Sequence, residues 1–379
     1  MQSFALGEFL TRWGDAARHD LSASECEPLP LPALLALAGP ADQRRWDRLS
    51  LGYGDPRGAI WLREAIAETY DTVTETQLLC CAGAQEALTC VARAVLDSGD
   101  HAIVVVPCYP ATELTVGAAG DVSGLALDPA RGWQLDLGRL EAAIRPNTRL
   151  LVANFPNNPT GALPTQAAFD ALVALCRRHG LWLVNDEVYR LVDRDPARRL
   201  PQVVDVYERG ISINALSKSH GLPGLRIGWV ACRDAARLAR MQVVKNTLSG
   251  LLAAPSELLA HVALRAQEQI LGRNRARAEA NLTQMRAFFR RHADLFAWEE
   301  PAGGVTAFPR YRGPEGVETF VETLVREAGV MVLPASIWRS ALAPTPMDRF
   351  RIGFGRDGVG PALAAWQALL ADAPLAAVG

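Results

Sequence analysis

Three polar segments of the sequence each follow a short apolar run and carry side chains that can do chemistry. Residues 154–161 read Asn-Phe-Pro-Asn-Asn-Pro-Thr-Gly, residues 185–189 read Asn-Asp-Glu-Val-Tyr, and a third segment places Lys218 among small residues before Arg226. A desolvated lysine has a lowered pKa and becomes a nucleophilic amine suited to Schiff bases. A half-buried carboxylate such as Asp186 can hold a protonated ring nitrogen. Each segment alone could be a turn, a helix cap or a surface loop, but no structural rule requires all three, so together they indicate a reaction site.

The elements that must position these groups are apolar strands separated by helices. Strands are predicted at 77–82, 102–106, 150–154, 181–185, 211–214 and 227–232, and the clearest helices at 85–96 and 166–179. Continuous apolar strands alternating with helices predict an α/β fold whose mostly parallel sheet is covered on both faces. Ligands of such sheets bind at the carboxyl ends of the strands, where the three polar segments lie.

The last third of the chain has a different pattern. Residues 256–296 predict a long amphipathic helix with a break, and the following residues predict strands and a helix typical of a smaller α+β domain. We therefore expect a large domain at 46–275 and a small domain at 276–379, with residues 1–45 folding back to pack on the small domain.

Composition and charge narrow the class of partner. The 379 residues carry 39 Lys and Arg against 41 Asp and Glu, a net charge of −2, which favours a small-molecule partner over nucleic acid or an anionic membrane. No apolar run approaches the roughly 20 residues of a membrane span, and the first 20 residues are not typical of a secretory signal. The cysteines number seven, an odd count, with no Cys-x-x-Cys spacing, which predicts a reducing cytoplasm and no metal site.

From about Gly52 to Phe354, the chain resembles the class I/II aminotransferases, enzymes of fold type I that use pyridoxal 5′-phosphate (PLP). The resemblance implies a large domain with a mostly parallel sheet sandwiched by helices, and a smaller α+β domain. It also implies transfer of the α-amino group of an amino acid to a 2-oxo acid through an aldimine of the cofactor with a lysine.

The resemblance assigns roles to residues around the cofactor ring. Lys218 matches the lysine that forms the aldimine, and Asp186 matches the carboxylate that pairs with the pyridine nitrogen. Tyr189 and Asn158 match the donors to the phenolate oxygen, and Asn158 also faces the substrate. Tyr109 matches the aromatic residue that stacks on the ring.

Further matches concern the phosphate group of the cofactor. The phosphate is expected to bind the turn Gly83-Ala84-Gln85, together with Ser217 and Arg226. Such a turn opens a helix, and a helix N-terminus offers free N–H donors and a positive dipole end to an anion.

Two more matches concern the partner subunit and the substrate. Tyr53 resembles a tyrosine that reaches the phosphate of the neighbouring subunit, which implies a homodimer. Arg351 matches the arginine that binds the substrate α-carboxylate through bidentate pairing, with Arg349 as the neighbouring alternative.

One position departs from the family pattern. Many members have Ser or Thr three residues before the lysine as a phosphate donor, whereas this chain has Ala215. The missing donor places more of the phosphate binding on Ser217 and Arg226.

A narrower resemblance leaves the reaction open. Residues 20–24 (Asp-Leu-Ser-Ala-Ser) and 303–310 (Gly-Gly-Val-Thr-Ala-Phe-Pro-Arg) look like segments of capreomycidine synthase, a PLP enzyme that cyclises a hydroxylated arginine. A cyclase or dehydratase of this kind must hold a guanidinium group, for which Glu25 and Glu27 are candidates. Transamination is the favoured reaction, and cyclisation is the alternative.

Overall fold

The computed structural model describes residues 4–372. Its strands are β1 (His19–Asp20), β2 (Leu78–Cys81), β3 (His101–Val106), β4 (Asp121–Ala126), β5 (Thr148–Asn154), β6 (Trp182–Asp186), β7 (Gly210–Ala215), β8 (Gly228–Cys232), β9 (Phe296–Ala297), β10 (Thr306–Ala307), β11 (Arg310–Tyr311), β12 (Val330–Met331), β13 (Leu333–Pro334) and β14 (Phe350–Gly353). Its α-helices are α1 (Ala5–Trp13), α2 (Leu31–Leu35), α3 (Pro40–Asp47), α4 (Ile60–Ala67), α5 (Ala84–Val95), α6 (Pro110–Gly117), α7 (Leu137–Ala143), α8 (Gln166–His179), α9 (Val203–Val206), α10 (Ala235–Asn246), α11 (Ala254–Arg265), α12 (Gln267–Arg291), α13 (Val317–Thr323) and α14 (Val359–Asp372).

A seven-stranded sheet with the order β2-β8-β7-β6-β5-β3-β4 forms the centre of the fold. All its neighbouring strands are parallel except where β8 pairs antiparallel with β2 and β7. The prediction of a mostly parallel sheet is therefore confirmed. Because β5, β6 and β7 run in the same direction, their carboxyl ends meet at one edge, where Asn154, Asp186 and Ala215 are the last residues.

Both faces of this sheet are buried, as its continuous apolar strands predict. In β3, Ile103 and Val105 pack into a cluster with residues of α8, whereas Val104 and Val106 pack on the opposite face with residues of α5. Helix α8 has the predicted bounds, because Thr165 caps its first turn by accepting from Ala168 N–H and Gly180 ends it with a left-handed φ of 63°.

The C-terminal part has its own core and smaller sheets. Strands β10, β14 and β13 form an antiparallel sheet, and β9 pairs with β11. Aromatic side chains dominate the core beneath them, with ring centroids of Phe296 and Trp366 5.6 Å apart and those of Phe350 and Trp366 5.7 Å apart. The predicted break in the long helix lies at Ala266, between α11 and α12.

The N-terminal segment runs along this smaller part of the molecule. Strand β1 pairs with β12 in parallel, and Leu21 then accepts a hydrogen bond of 2.7 Å from Gly353 N–H of β14. The division of the chain at residues 45 and 275 stays a prediction, and α12 runs across the second of these positions. Within residues 4–372, no helix is both long and apolar enough to cross a membrane.

Candidate active site

A cavity of about 430 Å³ opens at the carboxyl ends of β5, β6 and β7. Ten of the residues to which the resemblance assigns a role with the cofactor or substrate line it: Ala84, Gln85, Tyr109, Asn158, Asp186, Tyr189, Ser217, Lys218, Arg226 and Arg351. Gly83 lies directly before this lining, at the start of α5. Tyr53 lies apart from the cavity, with 96% of its surface exposed.

Asp186 ends β6 at the floor of the cavity. Burial raises the pKa of its carboxyl to about 6, while the charge of Lys218 lowers it. Its Oδ1 accepts a hydrogen bond of 3.2 Å from Val188 N–H. A buried carboxylate with a single backbone donor is stabilised by a positively charged group, so this position suits a protonated ring nitrogen.

Asn154, which the sequence analysis gave no role, ties two of these positions together. Its Nδ2 donates to the Asp186 carbonyl at 2.8 Å, and its Oδ1 accepts from Asn158 N–H at 2.8 Å. Because β5 and β6 are adjacent, with Asn154 beside Asp186 in register, one amide side chain fixes the backbone at both points. The signal for this residue is its place at the strand end before the Asn-Pro-Thr-Gly turn.

Lys218 lies in the loop after β7. Its Nζ donates to Ser24 Oγ at 2.7 Å and lies 3.8 Å from Glu25 Oε2. Burial lowers the pKa of this amine, and the charge of Glu25 opposes that shift. Lowering the pKa increases the fraction of the neutral, nucleophilic amine, which is the form that condenses with an aldehyde.

The start of α5 presents free N–H donors to the cavity. The first N–H groups of a helix have no intrahelical acceptor, and here they belong to Ala84 and Gln85 at the cavity. Gly83 has φ 89° and ψ 171°, and a Cβ there would lie 2.4 Å from Arg226 Nη2. The guanidinium of Arg226 therefore packs against the turn, beside Ser217, so the N–H donors and the positive charge face the same space.

Arg351 of β14 enters the cavity from the smaller part of the molecule. It is 3% exposed, its Nη1 lies 3.4 Å from Asn158 Oδ1, and its Nη2 donates to the Ser22 carbonyl. Its Nε is buried without an acceptor among residues 4–372. A buried guanidinium with an unpaired donor is suited to bind a carboxylate. Arg349 points elsewhere: its Nη1 donates to Phe308 O at 2.9 Å, and it does not line the cavity.

Tyr189 and the N-terminal segment close the cavity on another side. The Tyr189 hydroxyl donates to the Ser24 carbonyl at 2.8 Å, and burial raises its pKa. Residues 20, 22, 23, 24 and 25 all line the cavity, together with Leu6 and Leu10 of α1. The resemblance of residues 20–24 to one enzyme marked this segment, but no pattern in the sequence places it against Lys218.

Glu25 and Glu27 have different positions. Glu25 lines the cavity and its Oε1 is bound by Nη2 of Arg356, a residue that the sequence analysis missed. Glu27 is not in the lining, and its Oε2 accepts from Asp357 N–H at 2.8 Å. Of the two acids proposed to hold a guanidinium, only Glu25 reaches the cavity.

A mostly parallel sheet with a partly buried lysine, an acid whose carboxyl pKa is raised by burial, and free helix N–H groups at its carboxyl edge is the architecture of the fold type I PLP-dependent enzymes. Residues 29–358 match the family model described as aminotransferase class I and II. The chain belongs to the aminotransferase class I and II family, whose cofactor is pyridoxal phosphate.

The names of individual relatives indicate more than one reaction. The arginine–pyruvate transaminase of Pseudomonas aeruginosa is 32% identical over 320 residues, which are 79% of this chain and 77% of that protein. The capreomycidine synthase of Streptomyces vinaceus is 30% identical over 344 residues, covering 89% of this chain and 85% of that protein. A crystal structure of a PLP-dependent aminotransferase from Streptococcus suis superposes with a TM-score of 0.90 at 27% identity, covering 98% of both chains.

The cavity has the donor set that this cofactor requires. Pyridoxal phosphate carries a dianionic phosphate, an aldehyde and a basic ring nitrogen, which need anion donors, an amine and an acid. The helix start with Arg226, the Lys218 amine and the buried Asp186 carboxylate provide these three partners around one space.

Proposed function

We propose that this protein is an aminotransferase that moves the α-amino group of an amino acid to a 2-oxo acid. The observation that carries the proposal is the Lys218 amine, which is partly buried, has a lowered pKa and lies in the same cavity as Asp186 and Arg351. A lowered pKa increases the neutral fraction of this amine, and the neutral amine is the form that can take a proton from an α-carbon.

In this proposal the cofactor is held at four points: its phosphate, its ring nitrogen, its phenolate oxygen and its ring face. The N–H groups of Ala84 and Gln85, with Ser217 and Arg226, bind the phosphate. Gly83 has no Cβ and therefore lets Arg226 pack closely against the turn. The remaining partners are Asp186 for the ring nitrogen, Asn158 and Tyr189 for the phenolate oxygen, and Tyr109 for the ring face. When bound, pyridoxal phosphate supplies a ring that accepts the electrons released when the α-proton leaves.

The protein then positions the substrate and moves the proton. Arg351 binds the α-carboxylate through its guanidinium. Its contact with Asn158 connects this carboxylate site to a residue that holds the cofactor ring. Lys218 Nζ would take the proton from the substrate α-carbon and hold it on its amine for the later return. Asp186 keeps a positive charge on the ring favourable, because burial disfavours a lone carboxylate charge and an adjacent cation stabilises it.

A PLP-dependent cyclase is the second candidate. It is supported by the relative named capreomycidine synthase, which aligns over 89% of this chain, and by the presence of Glu25 in the cavity. In that reaction Lys218 would again take the α-proton, and the side-chain hydroxyl would leave as water. A guanidine nitrogen would then bond to the carbon that carried the hydroxyl, and a proton would return to the α-carbon. A hydroxylated arginine would be the substrate.

One experiment separates the two reactions. The purified holoenzyme is incubated with each of a panel of amino acids, with and without pyruvate, and the products are measured by mass spectrometry. An aminotransferase forms one 2-oxo acid per active site without pyruvate and turns over repeatedly with it. A cyclase turns over hydroxyarginine repeatedly without pyruvate, with loss of one water. The Lys218→Arg variant is the control, since it keeps the charge but should do neither reaction.

We also propose a cytoplasmic homodimer. All seven cysteines are free and buried, which agrees with a reducing compartment. The exposed Tyr53, with the exposed Leu51 nearby in the chain, is proposed to meet a second subunit and reach its phosphate. Analytical ultracentrifugation of the wild-type protein tests the dimer, and loss of PLP affinity in Tyr53→Phe tests the shared site.

A further inference from the structure

We propose that the cavity selects an amino donor whose side chain ends in a cation, with Asp20 and Glu25 as the acceptors of that cation. The inference deepens the proposed function and rests on it, because it assigns Arg351 to the α-carboxylate and Lys218 to the reacting amine. What remains of the charged lining then faces the substrate side chain.

The remaining charged side chains carry more negative than positive charge. Once Asp186, Lys218, Arg226 and Arg351 have their roles, the cavity lining contains two further carboxylates, Asp20 and Glu25, and one further cation, Arg356. Both carboxylates belong to the N-terminal segment. The unassigned part of the wall therefore has a net charge of −1.

Arg356 is already paired within this wall. Its Nη2 binds Glu25 Oε1, and its Nη1 lies 3.9 Å from Asp20 Oδ2. Nη2 of Arg356 is already bound to Glu25, so a side chain ending in a carboxylate would enter beside the like charges of Glu25 and Asp20. Like charges at this range are unfavourable, so the pocket discriminates against acidic donors.

Asp20 has one carboxylate oxygen, Oδ2, that accepts no hydrogen bond from residues 4–372. Its Oδ1 accepts from Ser22 N–H at 2.8 Å and from Ser22 Oγ at 2.6 Å, which fixes the direction of the carboxylate. The approach of Arg356 to Oδ2 at 3.9 Å is too long for a hydrogen bond. The Asp20 side chain is 41% exposed, whereas that of Glu25 is 13% exposed, so Asp20 is the more accessible of the two. A bound guanidinium or ammonium can reach Oδ2 without breaking an existing hydrogen bond.

The spacing along the segment fits a long side chain. Arg351 contacts the carbonyl of Ser22, two residues after Asp20 and three before Glu25. Two residues of extended chain span at most about 7 Å. The acidic wall therefore lies close to the α-carboxylate site along this segment, within reach of side chains such as those of ornithine, lysine or arginine. Leu6 and Leu10 line the same cavity and can cover the methylene groups of such a chain.

Binding of unreactive analogues to the holoenzyme tests the charge preference directly. The compounds are 5-guanidinopentanoate, its neutral isostere 5-ureidopentanoate and the dianion adipate, none of which has an α-amine. Isothermal titration should show the guanidino compound binding at least about tenfold more tightly than the ureido compound, since charge-assisted hydrogen bonds are stronger than neutral ones. Adipate should bind most weakly. Equal affinity for the guanidino and ureido compounds, or tightest binding of adipate, would overturn the inference.

Variants of the two acids then test their part in ligand binding, and folding of each variant is measured separately. Asp20→Asn keeps the Oδ1 acceptor for Ser22, and Glu25→Gln keeps the shape of its side chain. Each should reduce the preference for the guanidino compound by about tenfold or more while leaving the affinity for the ureido compound within about twofold. Glu27→Gln, an acid of the same segment outside the cavity lining, should keep the wild-type preference. Thermal unfolding of each holoenzyme identifies any variant that fails to fold, and an unchanged preference in both folded cavity variants would contradict the inference.

The half-reaction with amino acids separates this inference from the proposed function. Holoenzyme mixed with arginine, lysine, norleucine or glutamate should form a 2-oxo acid most readily from the two cationic donors. Absence of a 2-oxo acid from every donor would refute transamination, whereas preferred reaction of norleucine or glutamate would refute only the charge preference.

Discussion

Replacing Gly83 with alanine tests the proposed phosphate-binding turn at the start of α5. The residue has φ 89° and ψ 171°, a backbone conformation that is essentially restricted to glycine and costs other residues about 1–3 kcal/mol. The new Cβ would also lie 2.4 Å from Arg226 Nη2 and 3.1 Å from its Cζ. The first distance is too short for any packed pair of atoms, so the guanidinium must move away from the start of α5.

Two effects should follow, and they are measured by different assays. The free energy of unfolding of the apoenzyme should fall by about 1–3 kcal/mol because of the backbone conformation. Displacement of Arg226 should cost one charge-assisted contact with the phosphate, which corresponds to a rise of about 10- to 100-fold in the Kd for PLP. Urea unfolding gives the first quantity, and equilibrium dialysis against PLP gives the second.

Gly272 provides the matched control. It lies within α12, and a Cβ there would meet no atom within 4 Å. Alanine is favoured over glycine in a helix by about 1 kcal/mol, so Gly272→Ala should be at least as stable as the wild type, with an unchanged Kd for PLP. The reasoning is refuted if Gly83→Ala binds PLP with wild-type affinity, or if Gly272→Ala weakens PLP binding to the same extent.

Four further predictions concern other groups of the site and its support. Borohydride reduction of the holoenzyme should fix the cofactor on Lys218, and peptide mapping to another lysine would reject the assignment. Asp186→Asn should bind PLP but lose at least about 100-fold in kcat, since an amide cannot stabilise a positively charged ring nitrogen; near wild-type turnover in steady-state kinetics would remove its role. Arg351→Ala should raise KM for every amino acid donor with little change in the Kd for PLP, and unchanged saturation kinetics would show that another group binds the α-carboxylate. Burial raises the pKa of Glu187 from 4.5 to about 7, so between these pH values the folded protein holds a proton that the unfolded chain releases, and stability falls as pH rises through this range. Glu187→Gln should therefore raise Tm by about 3 °C or more at pH 8 and by less at pH 5, and an equal shift at both would contradict this explanation.

The sheet could be predicted because its strands are buried on both faces. Their apolar runs are continuous, and Thr165 and Gly180 mark both ends of α8. Strand β4 was not predicted, since it lies at the edge of the sheet and five of its six residues, Asp121 to Ala126 apart from Leu125, are partly or fully exposed. An edge strand with a glycine and an acid lacks the apolar signal on which the other predictions depend.

The residues on the cofactor side of the candidate site could be predicted from the sequence for a related reason. Asn154, Asp186 and Ala215 end neighbouring parallel strands, so the sequence position of each strand end also gives its place in space. The substrate side was not visible in this way. Ser24 reaches Lys218 across 194 residues of sequence, and Arg356 reaches Glu25 across 331. These contacts depend on how the N-terminal segment docks, which no local pattern encodes.

The same docking has a consequence for the order in which the molecule assembles. The bond from Arg351 to Ser22 joins residues 329 positions apart, and Leu21 bonds with Gly353 nearby. Contacts between distant parts of a chain form late, because closing a long loop costs entropy before the contact repays it. During synthesis, the sheet can form while the last part of the chain is still in the ribosome, but the pocket wall cannot close until β14 has emerged. Completion of the catalytic chamber is therefore a late event of folding, and a nascent chain stopped before Phe350 would lack the part of the wall formed by Arg351 and Arg356.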